Sequence, residues 1–378
     1  MDTYLDHAAS TPAREEVIQA MMPWLTLHPG NPSGSHRLAR EARRAIDDAR
    51  DHLALLVGAE PGDVIFTSGG TESDNLAIDG TLGARGGQAL CSATEHPAVL
   101  EPVRESGGIV APTDDTGRVD LESLANLLDS FADISIVSVM MANNETGVIN
   151  DINTIADLIS EKTPETMLHT DAVQATSWLD IEETSKKAHL ISLTGHKFGG
   201  PKGAGALILR NGVNLSPVIR GGGQERERRS GTQNVPAIVG LGEAARLMKV
   251  ERLKINERVT RLRDKLESGL IDKISGVSRT LPKETPRTPG IAHLCFKNIE
   301  NEALLFLLED KGIYASAASS CASGAQEASH VLQAMGVDLK TAGGSIRFSL
   351  GQATTDEEID HALITVPNAV EQLREFEK

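Results

Sequence analysis

Apolar runs of strand length recur along this chain, each closed by a Gly/Ser/Asn/Asp-rich turn before a stretch of helical periodicity begins. Residues 63–67 (DVIFT) run into SGGTESDN and a helix, 89–92 into ATEHPAVLEPV, 134–141 (ISIVSVMM) into ANNETG, 167–170 into DAVQA and 189–194 (HLISLT) into GHKFGGPKGAG; 206–210 (ALILR) then reads as another strand. Strands alternating with helices predict an α/β fold on a mostly parallel sheet with crossover helices. In open sheets of this kind ligands sit beyond the carboxyl ends of the strands, so five polar turns there are five candidate walls of one site.

From about Gly240 the texture changes to a long, charged, amphipathic helix (GEAARLMKVERLKINERVTRLRDKLESGL). Beyond it the pattern predicts strands at 291–296 and 345–350, a helix near 302–308, a loop of small residues around Cys321, and a closing helix from Asp356. At 378 residues the chain exceeds what one small core usually organises. The expected division is a large domain, 1–245, whose first residues to about 15 pack with the other part, and a smaller α+β C-terminal domain, 246–378, carrying the Cys321 loop.

Charge and cysteine usage narrow the function. Lysine plus arginine is 37 against 53 aspartate plus glutamate, a net −16, which disfavours broad adsorption to nucleic acid or an anionic membrane. Any anionic ligand must therefore be held locally. The cysteines, Cys91, Cys295 and Cys321, are widely separated and form no CxxC pair, arguing against a disulfide framework or a structural zinc site. The N-terminal residues lack a basic and apolar leader, and no apolar run approaches the ~18 residues of a membrane helix. The expectation is a cytoplasmic protein with no membrane association and no resident metal.

No GxxxxGK followed by Ser or Thr, no GxGxxG opening a helix after a strand and no HExxH helix is present. What remains is Ser68-Gly69-Gly70-Thr71-Glu72-Ser73 between a strand and a helix, which is either a capping turn or a cradle of N–H groups and a hydroxyl for an anion. Lys197 follows a buried-looking strand, where burial would depress its pKa and make the amine a nucleophile; the alternative is a solvated lysine. Asp171 also ends an apolar strand, either to pair with a cationic ring nitrogen or to cap the next helix. Taken together, a Schiff-base lysine, an acid for a pyridinium nitrogen and a phosphate-cradling turn are the protein parts a pyridoxal phosphate enzyme requires.

His96 reads as a backbone-satisfied histidine or as a ring that stacks on a flat cofactor and moves a proton. Cys91 and Cys295 lie in strand-like runs and read as small buried hydrophobes. Cys321, in AASSCASG, reads as an accessible thiol or an incidental loop cysteine. Arg226, Arg228 and Arg229 form either a solvated salt-laced segment or a cationic lip over an anionic cofactor.

The motifs TSGGTESDN, TEHPAVL, NNETGV, DAVQ, TGHK, GPKGAGAL, GGGQERERRSGT, SSCASG and SIRFSLG occur in that order. The pattern resembles the cysteine desulfurases of aminotransferase class V, in the group that feeds iron–sulfur assembly and tRNA thiolation, and it covers nearly the whole chain from YLDHAA to the closing helix. The resemblance implies a type I pyridoxal 5'-phosphate transferase fold with a seven-stranded-type sheet, a homodimer, and conversion of L-cysteine to L-alanine. It makes Lys197 the Schiff-base lysine, Asp171 the partner of the pyridine nitrogen, Gln174 a hydrogen bond to the ring hydroxyl, and His96 the stacking, proton-moving ring. Gly70, Thr71, Thr194 and His196 would hold the phosphate, with Thr232 reaching that of the partner subunit. Asn144 and Arg347 would hold the substrate carboxylate, Asn144 beside the cofactor and Asn31 nearby. Cys321 would take the sulfur as a persulfide for an acceptor protein, an iron–sulfur scaffold or tRNA-thiolation relay, and transiently ligate a nascent cluster. Thr194 stands where the family usually has Ser, Gln224 where His is common, and Ala318-Ser319-Ser320 before Cys321 where Gly-Ser-Ala is usual. The alternative on the same fold is a selenocysteine lyase or another class V lyase or aminotransferase.

Overall fold

The computed structural model describes residues 2–210, 212–317 and 329–376. The chain begins with a two-residue strand, β1 (Thr3–Tyr4), and two helices, Glu15–Thr26 and Arg37–Val57, before entering the main sheet. That sheet comprises β2 (Val64–Thr67), β3 (Gln88–Ser92), β4 (Ile109–Ala111), β5 (Ile134–Ser138), β6 (Met167–Asp171), β7 (Leu190–Thr194) and β8 (Gly205–Leu209), in the spatial order β2-β8-β7-β6-β5-β3-β4. From β4 to β7 every neighbour pairs in parallel, whereas β8 lies antiparallel to both β7 and β2. Of these seven, β8 alone is reversed, so the other six end on one edge. β5 (ISIVS), β7 (LISLT) and β8 (GALIL) are buried at every position, the continuous run expected of strands covered on both faces.

A 39-residue helix, Val235–Lys273, leaves the main sheet; the Asn234 side chain caps its first turn by accepting from the Ala237 N–H. Beyond it, β9 (Val277–Arg279), β10 (Ile291–Phe296) and β12 (Ser345–Ser349) form a small antiparallel sheet in the order β12-β10-β9. The short strand β11 (Ile313–Tyr314) pairs in parallel with β1, and the helix Asp356–Phe376 follows β12. One hydrophobic core runs from the main sheet (Val137, Leu193) through the long helix (Leu241, Leu266) to the small sheet (Leu294, Phe348). The chain just after β1 is fastened to β12. The N–H of His7 donates to the Ser349 carbonyl at 3.1 Å, and the N–H of Ala8 to Ser349 Oγ at 2.9 Å.

Among the described residues no helix is long and apolar enough to cross a membrane. Cys91 and Cys295 are buried, as their strand-like surroundings suggest.

Candidate active site

Because six strands of the main sheet end on the same edge, the turns that follow them converge. Gly70 and Thr71 lie beyond β2, His96 beyond β3, Met140 and Asn144 beyond β5, Asp171 and Gln174 at and beyond β6, and Thr194, His196 and Lys197 at and beyond β7. All of them line one cavity of ≈ 380 Å³, together with Ala8 and Ala9 from the N-terminal segment and Arg347 from β12. The structure thus brings together Gly70, Thr71, His96, Asn144, Asp171, Gln174, Thr194, His196, Lys197 and Arg347. Asn31 and Thr232 are exposed and do not line this cavity. Cys321 lies outside the described residues.

Lys197 stands in a single 3₁₀ turn, Gly195–Lys197, directly after β7. Its Nζ donates to the carbonyl oxygens of Ala8 and Ala9, the latter at 2.9 Å. Burial and the nearby Arg347 guanidinium push the amine down to about 8, while Asp171 and Asp6 pull the other way. Gln174 shares the same anchor, its Nε2 donating to the Ala8 carbonyl at 2.7 Å. At the end of β6, Asp171 accepts from the N–H of Val173 at 2.8 Å. Burial raises its carboxyl to about 6, against the pull of that N–H and of Lys197. Deeper in the wall sits Asp74, buried, its Oδ1 3.6 Å from His169 Nε2 and without a hydrogen-bond partner among the described residues. Burial first, and the Asp171 charge second, raise Asp74 well above the usual carboxylate range.

Gly70 and Thr71 begin the helix Gly70–Arg85, whose N–H groups open toward the cavity end. A Cβ at Gly70 would stand 2.8 Å from Val173 Cγ2, so glycine is what lets this helix start so close to the β6 turn. Thr194 Oγ1 donates to the Ala204 carbonyl at 3.2 Å, leaving its lone pairs for a donor, and His196 Nδ1 lies 3.4 Å from Ser10 Oγ. Burial and Lys197 lower His196 to about 4. In the same first turn, Glu72 accepts from the Ser68 N–H at 2.8 Å and pairs with Arg229. Of the three arginines, Arg229 is therefore spent on an internal carboxylate, and Arg226 on the Gly62 carbonyl.

His96 precedes the helix Pro97–Glu105, and its Nδ1 accepts from the N–H of Ala98 at 3.1 Å. That bond puts the proton of the neutral ring on Nε2. Burial first, then Lys197 and His330, lower its pKa to about 4. Arg347 projects from β12: Nη1 donates to the Asn144 carbonyl at 2.8 Å and Nη2 to Asp6 Oδ1 at 2.7 Å. Its buried Nε has no partner among the described residues.

The residues present fit pyridoxal phosphate by the chemistry of the donor set: an amine depressed toward neutrality, a buried acid, a glycine-opened helix start and a half-buried histidine pair around one cavity. Sequence reasoning missed Asp6, Ala8, Ala9 and Asp74. Ala8 and Ala9 act through backbone carbonyls, which carry no sequence signal, whereas Asp74 was visible inside TSGGTESDN.

The model of the family Aminotransferase class-V matches residues 3–362. The chain is 42% identical over 385 residues to the cysteine desulfurase IscS of Methanosarcina thermophila, covering 98% of this chain and 92% of that protein. It is 42% identical over 381 residues to the cysteine desulfurase NifS of Azotobacter vinelandii, covering 99% and 94%. A solved NifS-like protein superposes with a TM-score of 0.91 at 34% identity, covering 98% of this chain and 100% of that one. The fold and site define an enzyme of the class V aminotransferase family, and the chain belongs to it. Within that family it is a cysteine desulfurase of the IscS/NifS type, acting on L-cysteine. The family implies pyridoxal 5'-phosphate as its cofactor.

Proposed function

We propose that the cavity around Lys197 binds pyridoxal 5'-phosphate and L-cysteine, and that the substrate sulfur passes to Cys321 as a persulfide while L-alanine leaves. The observation that carries this reading is the joint burial of an amine lowered to about 8 and the Asp171 carboxyl in one cavity. When bound, the cofactor supplies an electron-withdrawing ring that accepts the charge released at the substrate Cα.

In this reading Lys197 holds the cofactor carbon and moves the Cα proton, helped by an amine that is readily neutral. The Asp171 carboxylate keeps a proton on the ring nitrogen, and Gln174 donates to the ring hydroxyl. His96 stacks its neutral ring on the cofactor, with the Nε2 proton available. Gly70, Thr71, Thr194 and His196 hold the phosphate, and Thr232 of a second copy reaches the same group in a homodimer. Arg347 and Asn144 hold the substrate carboxylate. Asn31, whose Oδ1 accepts from the Ser33 N–H at 3.0 Å, does not line the cavity of its own chain, and in this reading its part belongs to the assembled dimer. The transfer balances as L-cysteine plus the Cys321 thiol giving L-alanine plus the Cys321 persulfide, which an acceptor protein for iron–sulfur assembly or tRNA thiolation then draws off. The domain division that goes with it, 1–245 and 246–378, falls inside the helix Val235–Lys273.

The test is mass spectrometry of the Cys321 peptide after brief exposure to L-cysteine without reductant. One added sulfur atom on that peptide is expected. An unmodified Cys321 beside accumulating alanine would refute the transfer.

A further inference from the structure

Charged side chains of both signs meet at the cavity that takes the substrate, and the carboxylate bonded to its arginine lies outside the lining. The cations are Lys197 and Arg347, and the acid that faces Lys197 is Asp171. Asp74 and Glu95 are fully buried beside Asp171, and burial favours the neutral acid in both. The carboxylate bonded directly to Arg347 is Asp6, whose Oδ1 accepts from Nη2 at 2.7 Å, with the guanidinium 6% and the carboxylate 23% exposed; Glu145, buried and raised to about 7 mainly by that burial, is the other acid that feels the Arg347 charge.

Asp6 is held where it is by its neighbours. Its backbone forms a parallel bridge with Ser349, and the Tyr4 hydroxyl donates to its carbonyl oxygen at 3.1 Å and to that of Ser10 at 2.9 Å. The same stretch, two and three residues on, supplies the Ala8 and Ala9 carbonyls that anchor Lys197. One short segment thus sets the carboxylate on Arg347 and the acceptors on Lys197. The Asp6 charge is felt as far as Lys197, where it opposes the lowering by burial and Arg347. Arg347 still offers Nε, buried and without a partner among the described residues, to one carboxylate.

We propose that Asp6 is a specificity-determining residue: by countering the charge of Arg347 it restricts the cavity to amino acids whose side chain is uncharged. A zwitterion such as L-cysteine enters such a site without changing its net charge. An amino acid with a second acid group adds one uncompensated anion beside a buried guanidinium, where Coulomb interactions are screened less than in bulk water. Asp6→Asn keeps an oxygen for Nη2 and removes only the charge. The inference rests on the reading of Arg347 as the holder of the substrate carboxylate.

The test compares inhibition of alanine formation by L-aspartate and by L-alanine, using the cofactor-loaded enzyme as wild type, Asp6→Asn, Asp6→Glu and Arg347→Lys. Asp6→Asn should tighten L-aspartate at least fivefold more than L-alanine, and Asp6→Glu should keep the wild-type ratio. A ratio unchanged within twofold in Asp6→Asn, with both inhibitors weakened in Arg347→Lys, would overturn the role of Asp6 alone. Unaltered inhibition in Arg347→Lys would overturn the carboxylate reading and this inference with it. Because the readout is a ratio within one protein, a variant that is merely less stable does not move it. If Asp6→Asn does not fold, Asp6→Ser carries the same comparison.

Discussion

The Nζ of Lys197 donates to the carbonyl oxygen of Ala9 at 2.9 Å, so the amine is tethered to the N-terminal segment that also reaches Arg347. Burial makes that amine costly to charge. Its pKa falls from 10.5 to about 8; between these values the unfolded chain binds more protons than the folded one, so this group's contribution to stability rises with pH. The cost below pH 8 is about 3 kcal/mol. Urea denaturation of the cofactor-free protein should show Lys197→Met gaining on wild type near pH 7, with the advantage shrinking by about that amount toward pH 10.5. An advantage independent of pH would mean the amine is not charged at a penalty.

Arg50 and Glu225 form a buried ion pair, with Nη1–Oε2 at 2.9 Å and Nη2–Oε1 at 3.0 Å. Glu225 begins three consecutive non-glycine residues at positive φ, 47°, 57° and 66° through Glu227, and also accepts from the N–H of Phe66 at 3.0 Å. Such backbone persists only where its surroundings hold it. Removing one partner leaves a buried charge, so Glu225→Ala should cost about 3–5 kcal/mol in chemical denaturation. The double variant with Arg50→Met should cost less than the sum of the singles.

Arg229 and Glu72 tie the segment carrying Thr232 to the first turn of the helix that begins at Gly70, through bonds of 2.7 and 3.1 Å. This pair is partly exposed, so Arg229→Ala should cost only about 1 kcal/mol of stability. Its larger effect should fall on the phosphate end of the cavity. Cofactor loss followed by absorbance during dilution should speed up ~5-fold or more, while kcat at saturating cofactor stays within about twofold.

Gly70→Ala places a methyl 2.8 Å from Val173 Cγ2. The helix start must then retreat from the β6 turn, and cofactor affinity should fall ~10-fold, equivalent to about 1.4 kcal/mol. Adding Val173→Ala removes the clashing methyl and should restore most of the loss in an equilibrium titration.

Much of the architecture was legible because it rests on local pattern. β5 and β7 are short apolar runs closed by polar turns, the length and setting of a strand in a covered sheet, and those turns fall where Asn144, Thr194 and Lys197 line the cavity. β4 was missed: Ile109–Ala111 has three residues, and Val110 at its centre is 37% exposed. The reversal of β8 was equally hidden, since an antiparallel partner inside a buried sheet has the same composition as a parallel one. Sequence alone does not decide between a solvated segment and a lip over the cofactor for Arg229, because its partner Glu72 is 157 residues away. Asp6 reaches Arg347 across 341 residues and carries no local motif for that role.

The central claim is tested most directly by measuring L-alanine formed from L-cysteine in the presence of dithiothreitol, with wild type beside Lys197→Ala and Cys321→Ala. Wild type should turn over, and both variants should lose nearly all activity, Cys321→Ala while retaining the cofactor absorbance that Lys197→Ala alters. Full alanine production by Cys321→Ala would contradict sulfur transfer through that thiol, and turnover by Lys197→Ala would contradict the assignment of the active site.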